Sequence, residues 1–255
     1  MAGGEAQVLS TITVRSIHEL PELREAVRLQ KVIWGFDDID LLPVRLFVVA
    51  GDIGGQRLAA FDGDKMVGFL LSIPGLKRDD GVYLHSHMMG VVSEYRNAGV
   101  GRALKLAQRT DALEQGVTLV EWTFDPLQIK NAFFNIERLG AVISRYVLNQ
   151  YGITSSALQA GLPTDRCIAE WFLDSERAQS MIEGVAVVRP PVVEKIAVPS
   201  DIVQIMKNQP ERARDVQASI SNQFLRHFGN GLVVTGFERG DAESSYLLSA
   251  QKDEK

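Results

Sequence analysis

Hydrophobic and polar positions follow two different rhythms along this chain. "TITVRSI" alternates residue by residue and is rich in β-branched side chains, which predicts a first strand. From His18 to Ile33 the period lengthens, and Leu23, Ala26, Val27, Gln30 and Ile33 recur at helical spacing with charges between them. Beyond the acidic loop "WGFDDIDLLP", the run "PVRLFVVAGDIGG" predicts a second, short helix closed by glycines. "RLAAFDGDKMVGFLLSI" reads as two strands around Asp62–Gly63, a strong hairpin signal. "VYLHSHMMGVV" is the next strand, and "EYRNAGVGRALK" leads from it into a helix from Gly99 to about Glu114. Val100, Ala103, Leu104, Leu106, Ala107 and Leu113 give that helix a broad apolar arc, with Arg102, Lys105 and Arg109 on the other side. Gly116 ends it. "VTLVEWTF" is strand-like, and Asp125–Pro126 offers an N-cap with proline in the first helical position for a helix that runs to Leu139 and stops at Gly140. "AVISRYVLNQYG" and "RCIAEWFLD" supply two more strands.

Helices interrupting such a run of strands imply an α/β or α+β sheet with helices on its faces. After Ser175 the segment "AQSMIEGVAVVRPPVVEKIAVPSD" reads as a connection, broken by Pro190–Pro191 and Pro199. Val216, Ile220, Phe224 and Phe228 then step by four along a helix closed by Gly229. "GLVVTGF" and "SSYLLSA" make a terminal hairpin around Gly240–Asp241, and "QKDEK" is expected to fray. The expected organisation is one domain over residues 11–175 and an extension over 176–250. There is no internal repeat.

Composition narrows the function classes. With 255 residues, 45% of them hydrophobic, the chain can bury a substantial core. A net charge of −5 provides no general attraction to nucleic acid or anionic membranes. Cys167 is the only cysteine, which excludes an internal disulfide and fits a reducing compartment. The N-terminus has no basic segment followed by an apolar stretch, and apolar runs such as "LLPVRLFVVAG" break well before membrane-spanning length. The expectation is a soluble, cytoplasmic protein.

The candidate chemistry centres on "RNAGVG" at Arg96–Gly101. A helix start leaves backbone N–H groups unpaired and carries a partial positive charge, so it receives anions readily. Gly99 and Gly101 let backbone approach a pyrophosphate without a Cβ in the way. Arg96 and Arg102 are misplaced near a bare positive helix end, by roughly 0.3–1 kcal/mol each, unless an anion sits between them. A glycine-bearing turn with solvated arginines is the plainer alternative. The dinucleotide fingerprint fails because Leu104 stands where a third small residue is needed, and no Lys–Ser or Lys–Thr pair follows to make a nucleoside-triphosphate loop.

"RNAGVG" does match R/Q-x-x-G-x-G/A, the coenzyme A pyrophosphate loop of the GCN5-related N-acetyltransferases (GNAT). About two thirds of the chain, from Ile12 to Ser175, resembles that superfamily in element order. "HMMGVV" is similar to its fourth strand, "GVTLVEWTF" to its fifth, and "IKNAFFNIERLGA" to the helix that ends in a leucine–glycine pair. "WTFDPLQ", "NAFFN" and "LPTDRCIAEW" resemble a subgroup of acetyltransferases with an added C-terminal region. The resemblance implies a mixed, mostly antiparallel central sheet flanked by helices, here with a helix-plus-hairpin extension. It implies that backbone amides of Arg96, Asn97, Ala98, Gly99, Val100, Gly101 and Arg102 cradle the pyrophosphate of acetyl-CoA. It also implies that the splayed end of the fourth strand around Val91 pairs with the pantetheine arm and polarises the acetyl carbonyl. Asn131 belongs to the same expected cofactor set. Many members carry a tyrosine four residues before the glycine of the pair; that position here is Ile136, which donates no proton.

His85 and His87 share a face of a regular strand with Met89 and Val91. His87 has a titration range suited to taking a proton from an ammonium; packed, hydrogen-bonded histidines are the equal alternative. Two histidines at i, i+2 without a companion cluster argue against a metal site. Glu121, among Leu119 and Thr123, is either a base or the member of an ion pair. Asp125 reads first as a helix cap. Asp37, Asp38 and Asp40 form an acidic loop, Trp34, Phe36, Trp122 and Trp171 read as core or pocket lining, and Thr164, Asp165 and Arg166 as turn chemistry. Tyr146 and Tyr151 are further candidate proton donors. The expectation is an acetyl-CoA-dependent N-acetyltransferase acting on a small-molecule amine by direct attack, with no metal. The alternatives are a non-catalytic acyl-CoA-binding module and an extension that forms a homodimer contact or completes a second sheet.

Overall fold

The structure, a computed structural model, describes residues 12–78, 81–152 and 161–250. The expected strand start at Thr11 and the expected fraying of 251–255 lie outside the described residues. As far as Phe172 the order is the one the periodicity predicts: β1 (Ile12–Ser16), α1 (Leu20–Trp34), α2 (Val44–Asp52), β2 (Arg57–Asp62), β3 (Lys65–Lys77), β4 (Gly81–Val91), α3 (Val100–Glu114), β5 (Leu119–Phe124), α4 (Ile129–Phe133), β6 (Val142–Val147) and β7 (Arg166–Phe172). Then follow α5 (Glu176–Glu183), β8 (Glu194–Pro199), α6 (Ile202–Asn208), α7 (Pro210–Gly229), β9 (Leu232–Glu238) and β10 (Glu243–Ala250). The connection expected after Ser175 therefore contains a helix and a strand of its own. Ser175 starts that helix by accepting the Ala178 N–H on its hydroxyl. The chain divides into two compact units at Val120/Glu121.

In the first unit β1, β2, β3 and β4 pair antiparallel in chain order. Asp62 faces Lys65 across a two-residue turn, where Gly63 takes φ 57°, so the expected hairpin is present. Leu23, Ala26 and Leu29 of α1, Phe47 and Ala50 of α2, and Leu104 of α3 fill the core around Ala59, Phe69 and Leu71. Burying a side chain such as Phe47 or Phe69 stabilises the unit by about 1.5–3 kcal/mol. Helices cover both faces of these strands. A Cβ at Gly90 would strike Trp34 and Ile33 of α1 at 2.6 and 2.8 Å, whereas one at Gly68 would approach Leu104 of α3 at 3.4 Å.

β4 is not regular. Leu71 pairs with Met88 and Ser72 with Ser86, which leaves His87 as the extra residue of a β-bulge. The bulge resets the alternation. Ser86 reaches Lys105 of α3, and three residues later Met89 lies nearest Gly101 of the same helix. Met89 therefore shares a face with Ser86, and not with His85 as strict alternation predicts. His85 and His87 do stay together, with ring centroids 5.7 Å apart.

In the second unit the strand order is β5-β7-β6-β9-β10-β8, and the β7–β6, β6–β9, β9–β10 and β10–β8 pairs are antiparallel. Ile143 of β6 faces Val234 of β9, so strands from beyond residue 176 continue the sheet that holds β6 and β7. α7 packs Phe224 among Tyr146, Tyr246 and Phe228, at ring-centroid distances of 4.9, 5.1 and 5.4 Å.

The helix expected from Asp125 to Leu139 is shorter and later. Asp125 does not cap it. Its carboxylate accepts the Leu127 N–H at 2.8 Å and its carbonyl the Gln128 N–H at 3.0 Å, closing a separate turn before Ile129. The last stretch, Phe134–Arg138, widens to π geometry, with Leu139 N–H on the Phe134 carbonyl, and Gly140 ends it at φ 79°. Among the described residues no helix is long and apolar enough to cross a membrane.

Candidate functional site

The β4–α3 junction lies wholly in the first unit. Ser93–Tyr95 form one tight turn, fixed by the Tyr95 hydroxyl donating to Asp62 at 2.7 Å and by Lys65 over the Tyr95 ring at 5.3 Å. Asn97 (φ 62°) and Gly99 (φ 80°) then both take the left-handed conformation, which swings the chain into α3. Glycine is needed at Gly99 for that reason, and it has no side chain with which to cap the helix. The first intrahelical bond runs from Ala103 N–H to the Gly99 carbonyl at 3.0 Å. The N–H groups of Val100, Gly101 and Arg102 therefore precede it and point out of the helix end.

Gly101 carries a different argument. An added Cβ there would meet one atom within 4 Å, the Met89 Cε at 3.8 Å, an ordinary contact. Folding does not require glycine at this position. The bare backbone and the uncapped amides fit a ligand phosphate approaching closely, which is the test that a pyrophosphate site should pass. Arg96 behaves otherwise than expected: its Nε donates to the Val91 carbonyl at 3.1 Å and its terminal nitrogen to the Ile33 carbonyl at 3.3 Å. These carbonyls offset part of the positive charge near the helix end. Arg96 thus ties the junction to the ends of β4 and α1.

His87, at the bulge, is half-buried, and burial lowers its pKa below the ordinary imidazole value. Lys105 is the residue that sequence reasoning misplaced. It was expected on the solvent arc of α3, yet it is 2% exposed, with Nζ donating to Ser86 Oγ at 3.1 Å and Gln108 Oε1 at 2.9 Å. Burial lowers its pKa to about 7. A helical turn of 3.6 residues puts Lys105 only about 20° from Ala112 on the wheel, inside the buried edge, and that was the available signal. Gln108 continues the network to Ser72 at 2.6 Å and Gln56 at 3.1 Å, and Gln56 reaches Asp111 at 2.7 Å.

The remaining candidates lie in the second unit or at the end of α1 and the acidic loop after it. Glu121 is buried and accepts from Arg145 at 2.5 Å, and the same guanidinium reaches Glu170 at 3.2 Å. Asp125 is buried, which raises its pKa despite the Leu127 hydrogen bond. Tyr146 is locked inside, its hydroxyl 2.9 Å from Ser221 Oγ and 3.4 Å from Asp165. Tyr151 is 44% exposed, with its hydroxyl 2.9 Å from Thr123 Oγ1 and Arg166 over its ring at 5.6 Å. Of the two tyrosines only Tyr151 presents a reachable hydroxyl. Thr164 and Asp165 close turns, taking the Tyr151 and Asn149 N–H groups at 2.8 Å each. Asn131 is exposed at the start of α4, Ile136 is fully buried, and Cys167 is buried among strands. Trp122 and Trp171 meet edge to face as core, at 6.1 Å. In the first unit, Trp34 stacks on Phe36 at 5.6 Å, and Lys31 pairs with Asp38 of the acidic loop. Among the described residues no three His, Cys, Asp or Glu side chains gather as a metal-binding group.

No protein-family model and no curated protein sequence matches the chain. Solved structures do. The ribosomal-protein-S18-alanine N-acetyltransferase of Escherichia coli superposes with a TM-score of 0.51 at 16% identity, over 64% of this chain and 95% of its own. NAA60 of Arabidopsis thaliana, solved with a bisubstrate analogue, gives 0.51 at 18% identity over 64% and 98%. A protein of the GNAT family from Desulfovibrio desulfuricans gives 0.51 at 15% identity over 64% and 99%. The chain has the GNAT fold.

The mixed, mostly antiparallel sheet with flanking helices expected from the sequence is therefore the one found. Nearly the whole length of each GNAT structure is covered, while about a third of this chain lies beyond the match. Where the resemblance places a proton-donating tyrosine, the GNAT fold here buries Ile136 at 0% exposure. No side chain at that position reaches a substrate.

Proposed function

We propose that this protein is an acetyl-CoA-dependent acyltransferase that acetylates an amine of a small-molecule acceptor. The observation that carries the reading is the β4–α3 junction: left-handed Asn97 and Gly99, uncapped amides, and a Gly101 whose missing Cβ the fold itself does not need. In this reading the amides of Asn97, Ala98, Gly99, Val100, Gly101 and Arg102 bind the pyrophosphate, whereas the Arg96 N–H, expected among them, is already donated to the Ser93 carbonyl at 3.2 Å. Val91 main chain holds the acetyl carbonyl, donating to the oxygen as charge develops. Asn131 completes the cosubstrate contacts. Acetyl-CoA supplies an activated thioester, and positioning it beside the amine provides most of the rate.

His87 is the assigned base. Its lowered pKa keeps the imidazole neutral, and so able to accept a proton, at neutral pH. The amine nitrogen forms the new bond to the acetyl carbon, its proton passes to His87 directly or through water, and the carbon–sulfur bond breaks. A thiol with a reference pKa of about 8.5 leaves readily as thiolate, so the absence of a donor at Ile136 is tolerable. Glu121 is the second candidate base, and its pairing with Arg145 makes it the weaker one.

Incubation with acetyl-CoA and a panel of amines, with release of free thiol as the readout, tests this. Turnover with at least one amine is expected, and its low-pH limb should lie below about 6.5, the ordinary imidazole value. The buried Ile136 favours a second reading, a non-catalytic acyl-CoA-binding module. Tight acetyl-CoA binding without thiol release for any amine selects that reading.

A further inference from the structure

Residues beyond 175 grip one stretch of the second unit from several sides. The stretch is 126–140, comprising the turn after β5, α4 and the π turn. Arg189, in the irregular strap 184–193, makes a two-pronged ion pair with Glu137, at 2.9 and 2.5 Å. The Phe237 N–H of β9 donates to the same carboxylate at 2.7 Å. Arg177 of α5 donates to the Gly140 carbonyl at 2.9 Å and, with its other end, to the Thr235 carbonyl at 2.8 Å. The Tyr246 hydroxyl reaches the Pro126 carbonyl at 2.7 Å, and Arg239 lies over the Phe133 ring at 4.2 Å.

The glycines agree with this arrangement. A Cβ at Gly236 would come within 3.0 Å of the Arg189 guanidinium, so the strap passes where β9 has no side chain. Gly140 combines φ 79° with α5 so close that a Cβ would meet Ala178 Cα at 3.0 Å. The glycine of the leucine–glycine pair is thus fitted to the extension.

A π turn is a rare, local departure from regular helix geometry. Its carboxylate, Glu137, has a side chain only 11% exposed and three donor contacts, all from the strap and β9. We infer that the strap, through Arg189 on Glu137, is a positioning element for segment 126–140, and that the extension thereby sets where Asn131 stands for the cosubstrate. This rests on the assignment of Asn131 to the acetyl-CoA site. Arg189 touches no reacting atom. Its role is to fix another segment, so it is a positioning residue.

The test uses the full chain with Arg189→Met and Arg189→Lys. Amide hydrogen exchange over 134–140 should quicken at least tenfold in Arg189→Met, while β9 and β10 exchange as in the parent. The KM for acetyl-CoA should rise about fivefold with kcat within twofold, and Arg189→Lys should fall between. Unchanged exchange over 134–140 overturns the latch. Faster exchange with an unmoved KM overturns its positioning role and leaves the acetyltransferase reading intact. A parent protein that binds no acetyl-CoA overturns the acetyltransferase reading itself, and the inference with it.

Discussion

At the end of β4 the chain enters α3 through Arg96–Gly99, and at the end of β5 it enters α4 through Asp125–Gln128. Both are strand-to-helix junctions, built from opposite materials. In the second, a carboxylate of the chain's own takes the Leu127 N–H, and Asp125, Pro126 and Leu127 are all buried. In the first, left-handed Gly99 stands where a capping side chain would be, left-handed Asn97 comes two residues before it, and Arg96 and Asn97 are exposed. A junction whose turn is closed by its own buried carboxylate presents that negative charge to its own backbone and has no use for an external anion. One whose helix start has no side-chain cap, with Gly99 and Gly101 at the turn, leaves main chain accessible to an anion, as the proposed reading requires.

The sharpest break in this contrast is Gly101→Val. A Cβ at Gly101 makes only an ordinary contact with Met89, and valine is no worse than glycine inside a helix, so unfolding free energy should stay within about 0.5 kcal/mol of the parent. Acetyl-CoA affinity should fall at least 100-fold, roughly 2.7 kcal/mol, because the Cβ and methyls fill the approach to the amides. Chemical denaturation and calorimetry on the same preparation separate the two effects. Equal losses in both would mean that the glycine serves folding.

Asp125→Ala probes the other junction with the opposite expectation. Loss of the buried hydrogen bond from Leu127 N–H should cost about 1–3 kcal/mol of stability and leave acetyl-CoA affinity nearly unchanged. A large affinity loss with intact stability would erase the distinction between the two turns.

A pH-dependent effect concerns how α3 is anchored. Lys105 has a folded pKa lowered to about 7 from 10.5. Between those values the unfolded chain holds a proton that the folded chain does not, so stability should rise with pH, by about 1.4 kcal/mol per unit within the window. Below about 7 both forms are protonated and the slope vanishes. Lys105→Met should lack this slope, and denaturant titrations of both proteins at pH 7, 8.5 and 9.5 read it directly. Parallel curves would place the amine in water.

How much of this was legible in the sequence follows from which interactions are local. Strand and helix order as far as Phe172, the Asp62–Gly63 hairpin and the α3 start all depend on periodicity and on turn chemistry within a few residues, and each agrees with the structure. The bulge at His87 depends on β4's register against β3, and one extra residue there moved Met89 to the other face. Lys105 looked solvated because charge outweighed its angular position; it is buried because Ser86, Gln108 and the network behind them satisfy its donors. α4 was overextended because Asp125–Pro126 has the composition of a helix start while its hydrogen bonds close a turn. The extension looked like an appendage because proline marks connections. Nothing local announces that Ile143 will pair with Val234, ninety-one positions later.

The central claim is the proposal that the β4–α3 junction binds a diphosphate. Isothermal titration of the full-length protein with acetyl-CoA, repeated with desulfo-CoA and with pantetheine alone, tests it most directly. The account predicts saturable binding for the first two and none for pantetheine, which lacks the pyrophosphate. Heat with pantetheine equal to that with acetyl-CoA, or no heat with any of the three, would contradict it.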